Sequence, residues 1–165
     1  MYGTKMMGDM ITSALREAPA DIAVMAGFMA ILFAGALMDL FLQQVYDMLW
    51  ALGIVFPGIF IFIKGELSGS ILLSLIIYFI AQEVFMKKAY GKADCHALCC
   101  CALFLAYFGC GLSVYALHLG IVLFLLIVKN LFSGNISRNM KLKKPVPMIP
   151  YIFASLCAVS VIYVP

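Results

Sequence analysis

Residues 22–41 read IAVMAGFMAILFAGALMDLF, and this stretch contains no charged side chain before Asp39. A run of about 20 apolar residues is long enough for one helix to cross the hydrocarbon core of a bilayer. Five further apolar segments follow along the chain, at about residues 49–63, 70–86, 94–111, 112–131 and 146–164. The sequence therefore predicts an all-α polytopic membrane protein with about six transmembrane helices.

The composition excludes the common soluble classes. Of the 165 residues, 65% are hydrophobic and 12% are charged, whereas soluble domains have about 45–50% apolar and about 25% charged residues. The net charge of +3 is spread over short loops, which argues against a basic surface for nucleic acid. We expect an N-terminal extracytoplasmic or interfacial segment, residues 1–21, followed by one membrane domain, residues 22–165, in contact with the lipid bilayer.

The six cysteines do not have the pattern of a disulfide framework. Cys99, Cys100 and Cys101 are consecutive in an apolar run, and neighbours along one helix do not present facing Cβ atoms. We expect reduced, buried thiols that act as small hydrophobic side chains. Cys95, His96 and Cys99 could contribute metal ligands, but no CxxC pair completes a zinc tetrad, so no metal site is predicted.

The distribution of Lys and Arg predicts the orientation in the membrane. If the N-terminus lies outside, the cytoplasmic side holds eight of the 11 basic residues and the outer side holds three. Cytoplasmic loops usually carry the excess of Lys and Arg. We therefore predict a multi-pass protein of the cytoplasmic membrane with its N-terminus outside. The residues assigned to the inner side are Lys87, Lys88, Lys92, Lys129, Arg138, Lys141, Lys143 and Lys144, and those on the outer side are Lys5, Arg16 and Lys64.

In this topology four acidic residues, Asp39, Asp47, Glu83 and Asp94, lie at the cytoplasmic ends of the first four segments. Ionisable groups at membrane depth are costly, which makes them functional candidates. Three of them also have a structural explanation: Asp47 and Asp94 could cap helices, and Glu83 could reach Lys87 four residues later. Asp39 has no such structural explanation, because it lies near the carboxyl end of its helix, where the helix dipole disfavours an anion.

Two carboxylates on different spans at one membrane face indicate an aspartyl protease. In that chemistry an ionised Asp takes a proton from water while a protonated partner polarises the scissile carbonyl, and the close pair shares a proton. The sequence contains no GxSxG and no HExxH motif for a serine or zinc hydrolase. His118 lies well inside the fifth segment and is predicted to be a packed polar group.

Three blocks of the sequence carry a family resemblance. Residues 39–47, DLFLQQVYD, and residues 91–94, GKAD, resemble the D-x5-I-P-N and GxGD blocks, the latter in its G-x-A-D form, of the type IV prepilin peptidase family of GxGD membrane aspartyl proteases. Residues 144–151, KPVPMIPY, are similar to the Pro-rich stretch at the start of that family's last span. The blocks occur in the family's order and cover most of the chain from about residue 22.

The resemblance implies that Asp39 and Asp94 are catalytic and that the site lies at the cytoplasmic face. The implied partner is a pilin-like precursor whose short basic leader precedes an apolar helix. The chain lacks the two CxxC pairs of the larger members, so the resemblance implies the short form, without a methyltransferase domain, a metal or another cofactor. It departs from the family at Tyr46 (Pro), Asp47 (Asn) and Ala93 (Gly).

Alternative interpretations remain open. Tyr46-Asp47 is also similar to the YD pair of the presenilin and signal-peptide-peptidase group, which would make Asp47, instead of Asp39, the partner of Asp94. A non-catalytic membrane component of a pilus or secretion system would share the same blocks. A small transporter subunit is a third alternative, but transporters place ionisable groups near the bilayer midplane, where this chain has His118.

Overall fold

The described part of the chain folds into six α-helices. The computed structural model describes residues 2–64, 68–84, 91–132 and 147–163, with the side chains of all of these except 2–18, 20 and 130. In chain order the helices are α1 (Tyr2–Leu42), α2 (Asp47–Lys64), α3 (Gly69–Val84), α4 (Lys92–Tyr107), α5 (Leu112–Phe132) and α6 (Ile149–Tyr163). Each of the six predicted apolar segments falls on one helix, and the described residues contain no strand, so the all-α prediction is confirmed.

Three of the helices are long and apolar enough to cross a membrane, over Asp21–Leu42, Asp47–Lys64 and Leu112–Lys129. Helices α3 and α6 are apolar but shorter. The boundary that we predict between residues 21 and 22 falls inside the continuous helix α1, where its apolar part begins. Many of the lysines that predict the orientation lie outside the described residues, in 85–90 and 133–146.

Helix α4 is the centre of the bundle. Ten of its sixteen residues are buried, and it contacts α2, α3, α5 and α6 as well as α1 through Phe28 and Phe104, whose rings stack 4.6 Å apart. Its small side chains let the other helices approach closely. The Sγ of Cys100 lies only 3.1 Å from where a Cβ on Gly53 of α2 would be. All six cysteines are free thiols, as predicted, but only four are buried, because Cys99 and Cys157 are half-buried.

The outward faces of the helices are apolar. Ile59 of α2, Leu73 of α3 and Phe124 of α5 are each more than half exposed although they lie in mid-helix. A water-soluble protein rarely exposes large contiguous apolar surfaces. These faces are suited to contact with lipid, as the composition predicts.

Charged side chains collect at the two ends of the bundle. At one end Tyr107 donates a hydrogen bond to Asp21, and Lys64 lies 3.6 Å from the same carboxylate. Asp39 lies at the other end of the apolar part of α1, 18 residues further along. At 1.5 Å per residue these two carboxylates are about 27 Å apart along the helix, close to the hydrocarbon thickness of about 30 Å.

Candidate active site

Asp39 lies in the last turn of α1 and is stabilised by the beginning of α6. Its Oδ2 accepts a hydrogen bond of 3.0 Å from the backbone N–H of Ile149, the first residue of α6. The N–H groups of a first helical turn have no acceptor within their own helix, so the carboxylate satisfies one of them. The positive end of the α6 dipole thus offsets the unfavourable dipole of α1 at Asp39.

Asp94 lies in the first turn of α4, and its Oδ2 accepts a hydrogen bond of 3.2 Å from the N–H of Gly91. The expectation that Asp94 caps this helix is therefore confirmed. The carboxyl group also lies near enough to Asp39 for the charge of one to act on the other. Both side chains are half-buried. The fold thus brings together the two residues that the family resemblance selects.

The pair combines two carboxyl groups from different helices at one end of the bundle. Each accepts a backbone N–H through Oδ2, Asp39 from the start of α6 and Asp94 from the N-cap residue of its own helix, which restricts its orientation. Two carboxyl groups that come close enough to share one proton can activate a water molecule. The fold places one such group from each of two helices at the same end of the bundle.

Asp47 lies outside this pair. It is the first residue of α2, and its carboxylate is 3.8 Å from Nζ of Lys92, with 76% of the Asp47 side chain exposed. Its position in the first helical turn agrees with the capping expectation. An exposed ion pair of this kind contributes little to stability. Of the two candidate partners of Asp94, the geometry therefore favours Asp39.

A basic residue that lies near Asp39 has no signal in the motifs. Lys129, in the last turn of α5, interacts electrostatically with Asp39. Its Nζ lies over the ring of Tyr151, 5.4 Å from the centroid. In the sequence Lys129 is one of several basic residues near segment ends. Only the packing of α5 beside α6 brings it to the carboxylate.

Glu83 and His118 are the remaining candidates from the sequence. Glu83, at the end of α3, interacts with Cys99 of α4, and its predicted partner Lys87 lies outside the described residues. His118 is buried, with Nε2 3.3 Å from the carbonyl oxygen of Ile152, which confirms the prediction of a packed polar group. In the described ranges, no three His, Cys, Asp or Glu side chains form a group able to hold a metal ion.

The chain was compared with protein-family models, with curated proteins and with solved structures, and none of them matches it.

Proposed function

We propose that this protein is a membrane-embedded aspartyl endopeptidase of the type IV prepilin peptidase family. Its substrate would be a pilin-like precursor, from which it removes a short basic leader at the cytoplasmic face of the membrane. The observation that carries the proposal is that Asp39 at the end of α1 and Asp94 at the start of α4 lie at the same end of the bundle, each half-buried and each held by a backbone N–H. The three family-like blocks of the sequence support it independently.

The contacts of the pair fit the chemistry of peptide hydrolysis. One carboxylate takes a proton from the attacking water, while the protonated partner donates a hydrogen bond to the scissile carbonyl oxygen. The N–H groups of Ile149 and Gly91 fix the direction of the two carboxyl groups. Such fixed geometry lowers the entropic cost of reaching the transition state.

The proposed topology has six spans with the N-terminus outside. The polar end that contains Asp39 would then lie at the cytoplasmic boundary, and the end with Asp21 and Lys64 at the outer boundary. The distance of about 27 Å between Asp21 and Asp39, at 1.5 Å per helical residue, supports this arrangement. A substrate helix lying in the bilayer could present its basic leader at the depth of the carboxyl pair.

The test is cleavage of a pilin-like precursor from the same genome, co-expressed with the full chain and followed by the gel shift that leader loss produces. We expect the wild type to cleave, and Asp39→Asn and Asp94→Asn to lose cleavage by a factor of at least about 1,000, since each removes one of two groups that act as a unit. Asp47→Asn is the matched control and should retain cleavage. Membrane levels of every variant are measured in the same samples.

Other outcomes would favour the alternatives. Loss of cleavage in Asp47→Asn together with retention in Asp39→Asn would favour the presenilin-like pairing. If the properly inserted wild type cleaves no resident precursor, the chain is better explained as a non-catalytic component of a pilus or secretion system.

A further inference from the structure

We propose that Lys129 is a positioning residue for the aspartate pair, stabilising the negative charge on Asp39 from the end of α5. The inference rests on the proposed function, because it assigns the role of the charge on Asp39 during hydrolysis. Lys129 does not contact substrate in this proposal. Its effect on catalysis is transmitted through Asp39.

The end of α5, the beginning of α6 and the end of α1 meet at this point. Ile149 of α6 donates its N–H to Asp39 over 3.0 Å. Two residues further along α6, the ring of Tyr151 lies beneath the ammonium of Lys129, at 5.4 Å from its centroid. Helix α6 therefore contacts both the carboxylate and the cation, and it fixes the position of one relative to the other.

A lysine at the end of a membrane helix usually extends its ammonium toward the headgroups. Lys129 is half-buried and rests on an aromatic face, which attracts a cation more strongly when water is partly excluded. The first turn of α6 brings this cation, through Tyr151, and Asp39, through Ile149, to the same end of the bundle. Lys92, the other described lysine at this end of the bundle, is paired with Asp47 instead.

The aspartate pair needs such a cation for a physical reason. Two carboxyl groups that share one proton still carry one negative charge, and at this depth the charge has lost part of its hydration. A cation on the Asp39 side favours localisation of that charge on Asp39. Asp39 is then the group that accepts the proton of water, and Asp94 is the group that donates to the carbonyl.

The first experiment measures kcat and KM of the purified full chain on a precursor that the wild type cleaves. Lys129→Met removes the charge and keeps an unbranched stem, so we expect kcat to fall about tenfold with KM changed less than about twofold. Lys129→Arg keeps the charge and should restore most of the kcat. Tyr151→Leu should also lower kcat, and Tyr151→Phe, which keeps the ring, should lower it less.

Lys92→Met is the matched control, because it removes a cation at the same end of the bundle whose partner is Asp47; its kcat should be unchanged. A Lys129→Met variant with wild-type kcat would overturn the proposal. So would a raised KM at constant kcat, which would mean that Lys129 binds substrate. A loss that Lys129→Arg does not restore would overturn it as well.

A second measurement does not depend on activity. The thermal unfolding temperature in detergent is measured for the wild type, Lys129→Met, Asp39→Asn and the double variant. We expect Lys129→Met to lower Tm more in the chain that retains Asp39 than in the Asp39→Asn background, because only the former leaves a carboxylate without its cation. Equal losses would overturn the pairing. If the coupling is present and the wild type cleaves nothing, it is the proposed function that fails.

Discussion

The backbone N–H of Ile149 donates a hydrogen bond of 3.0 Å to Oδ2 of Asp39, which lies 110 residues earlier in the chain. The bond ties the end of α1 to the first residue of α6. It also explains how an aspartate is tolerated near the carboxyl end of an apolar helix, since the beginning of another helix supplies the donor and the favourable dipole. The candidate site is therefore complete only after α6 has packed against α1.

The structural role of Asp39 can be separated from its proposed catalytic role. Asp39→Asn keeps an oxygen that can accept from Ile149, whereas Asp39→Ala leaves that N–H without its acceptor. We expect the free energy of unfolding of the alanine variant to be about 1–2 kcal/mol lower than that of the asparagine variant. Thermal unfolding in detergent measures this difference, and both variants should be inactive. Equal stabilities would show that the hydrogen bond contributes nothing.

Tyr107 should matter for stability and not for catalysis. Tyr107→Phe removes the hydroxyl that donates to Asp21 but keeps the ring under Lys64, whose Nζ lies 4.9 Å from its centroid. We expect the free energy of unfolding to fall by about 1–2 kcal/mol. Precursor cleavage should be retained, because Tyr107 and Asp21 lie at the end of the bundle opposite to Asp39. Tyr163→Phe, at a half-exposed tyrosine, is the control and should change stability little. A loss of cleavage without a loss of stability would contradict the assignment.

Gly109 ends α4 in a conformation that other residues rarely adopt. Its φ is +77°, and the N–H groups of Gly109 and Cys110 donate to Ala106 and Leu105, each over 3.0 Å. This pattern is the Schellman motif, which favours glycine. Gly109→Ala should lower the free energy of unfolding by about 1 kcal/mol. Its control is Gly120→Ala, in the middle of α5 with open space around it, which should leave stability unchanged or raise it. If chemical unfolding showed that Gly120→Ala is the more destabilising of the two, the turn at Gly109 would not be constrained.

The contact between α2 and α4 depends on Gly53. Its neighbour Cys100 lies 3.1 Å from the position of an added Cβ, whereas nothing lies within 4 Å of a Cβ added to Gly58 on the same helix. We expect Gly53→Leu to destabilise the protein by about 2–3 kcal/mol through overpacking and Gly58→Leu to be tolerated. Thermal unfolding and membrane levels compare the two. Equal tolerance would mean that α2 and α4 do not pack as closely as the structure has them.

Much of the helical framework could be predicted from the sequence because it depends on local properties. Apolar runs of helical length identify α1, α2 and α5 directly, and the shorter runs locate α3 and α6. The central position of α4 could not be predicted in this way. Its small Ala and Cys residues allow close packing on all sides, and that packing, not its hydropathy, makes it the most buried helix. The capping role of Asp94 was also predictable, since it depends on a turn of four residues.

By itself, the sequence determined the helices, the apolar outer surface and the two aspartates whose spacing resembles a peptidase family. The tertiary structure favours Asp39 over Asp47 as the partner of Asp94, because Asp47 is exposed and paired with Lys92, whereas in the sequence the two are equally near the same membrane face. It also decided that Lys129 lies beside Tyr151, near the start of α6. That contact depends on how α5 packs beside α6 and α6 beside α1, and residues brought together by such packing leave no spacing pattern in a single sequence.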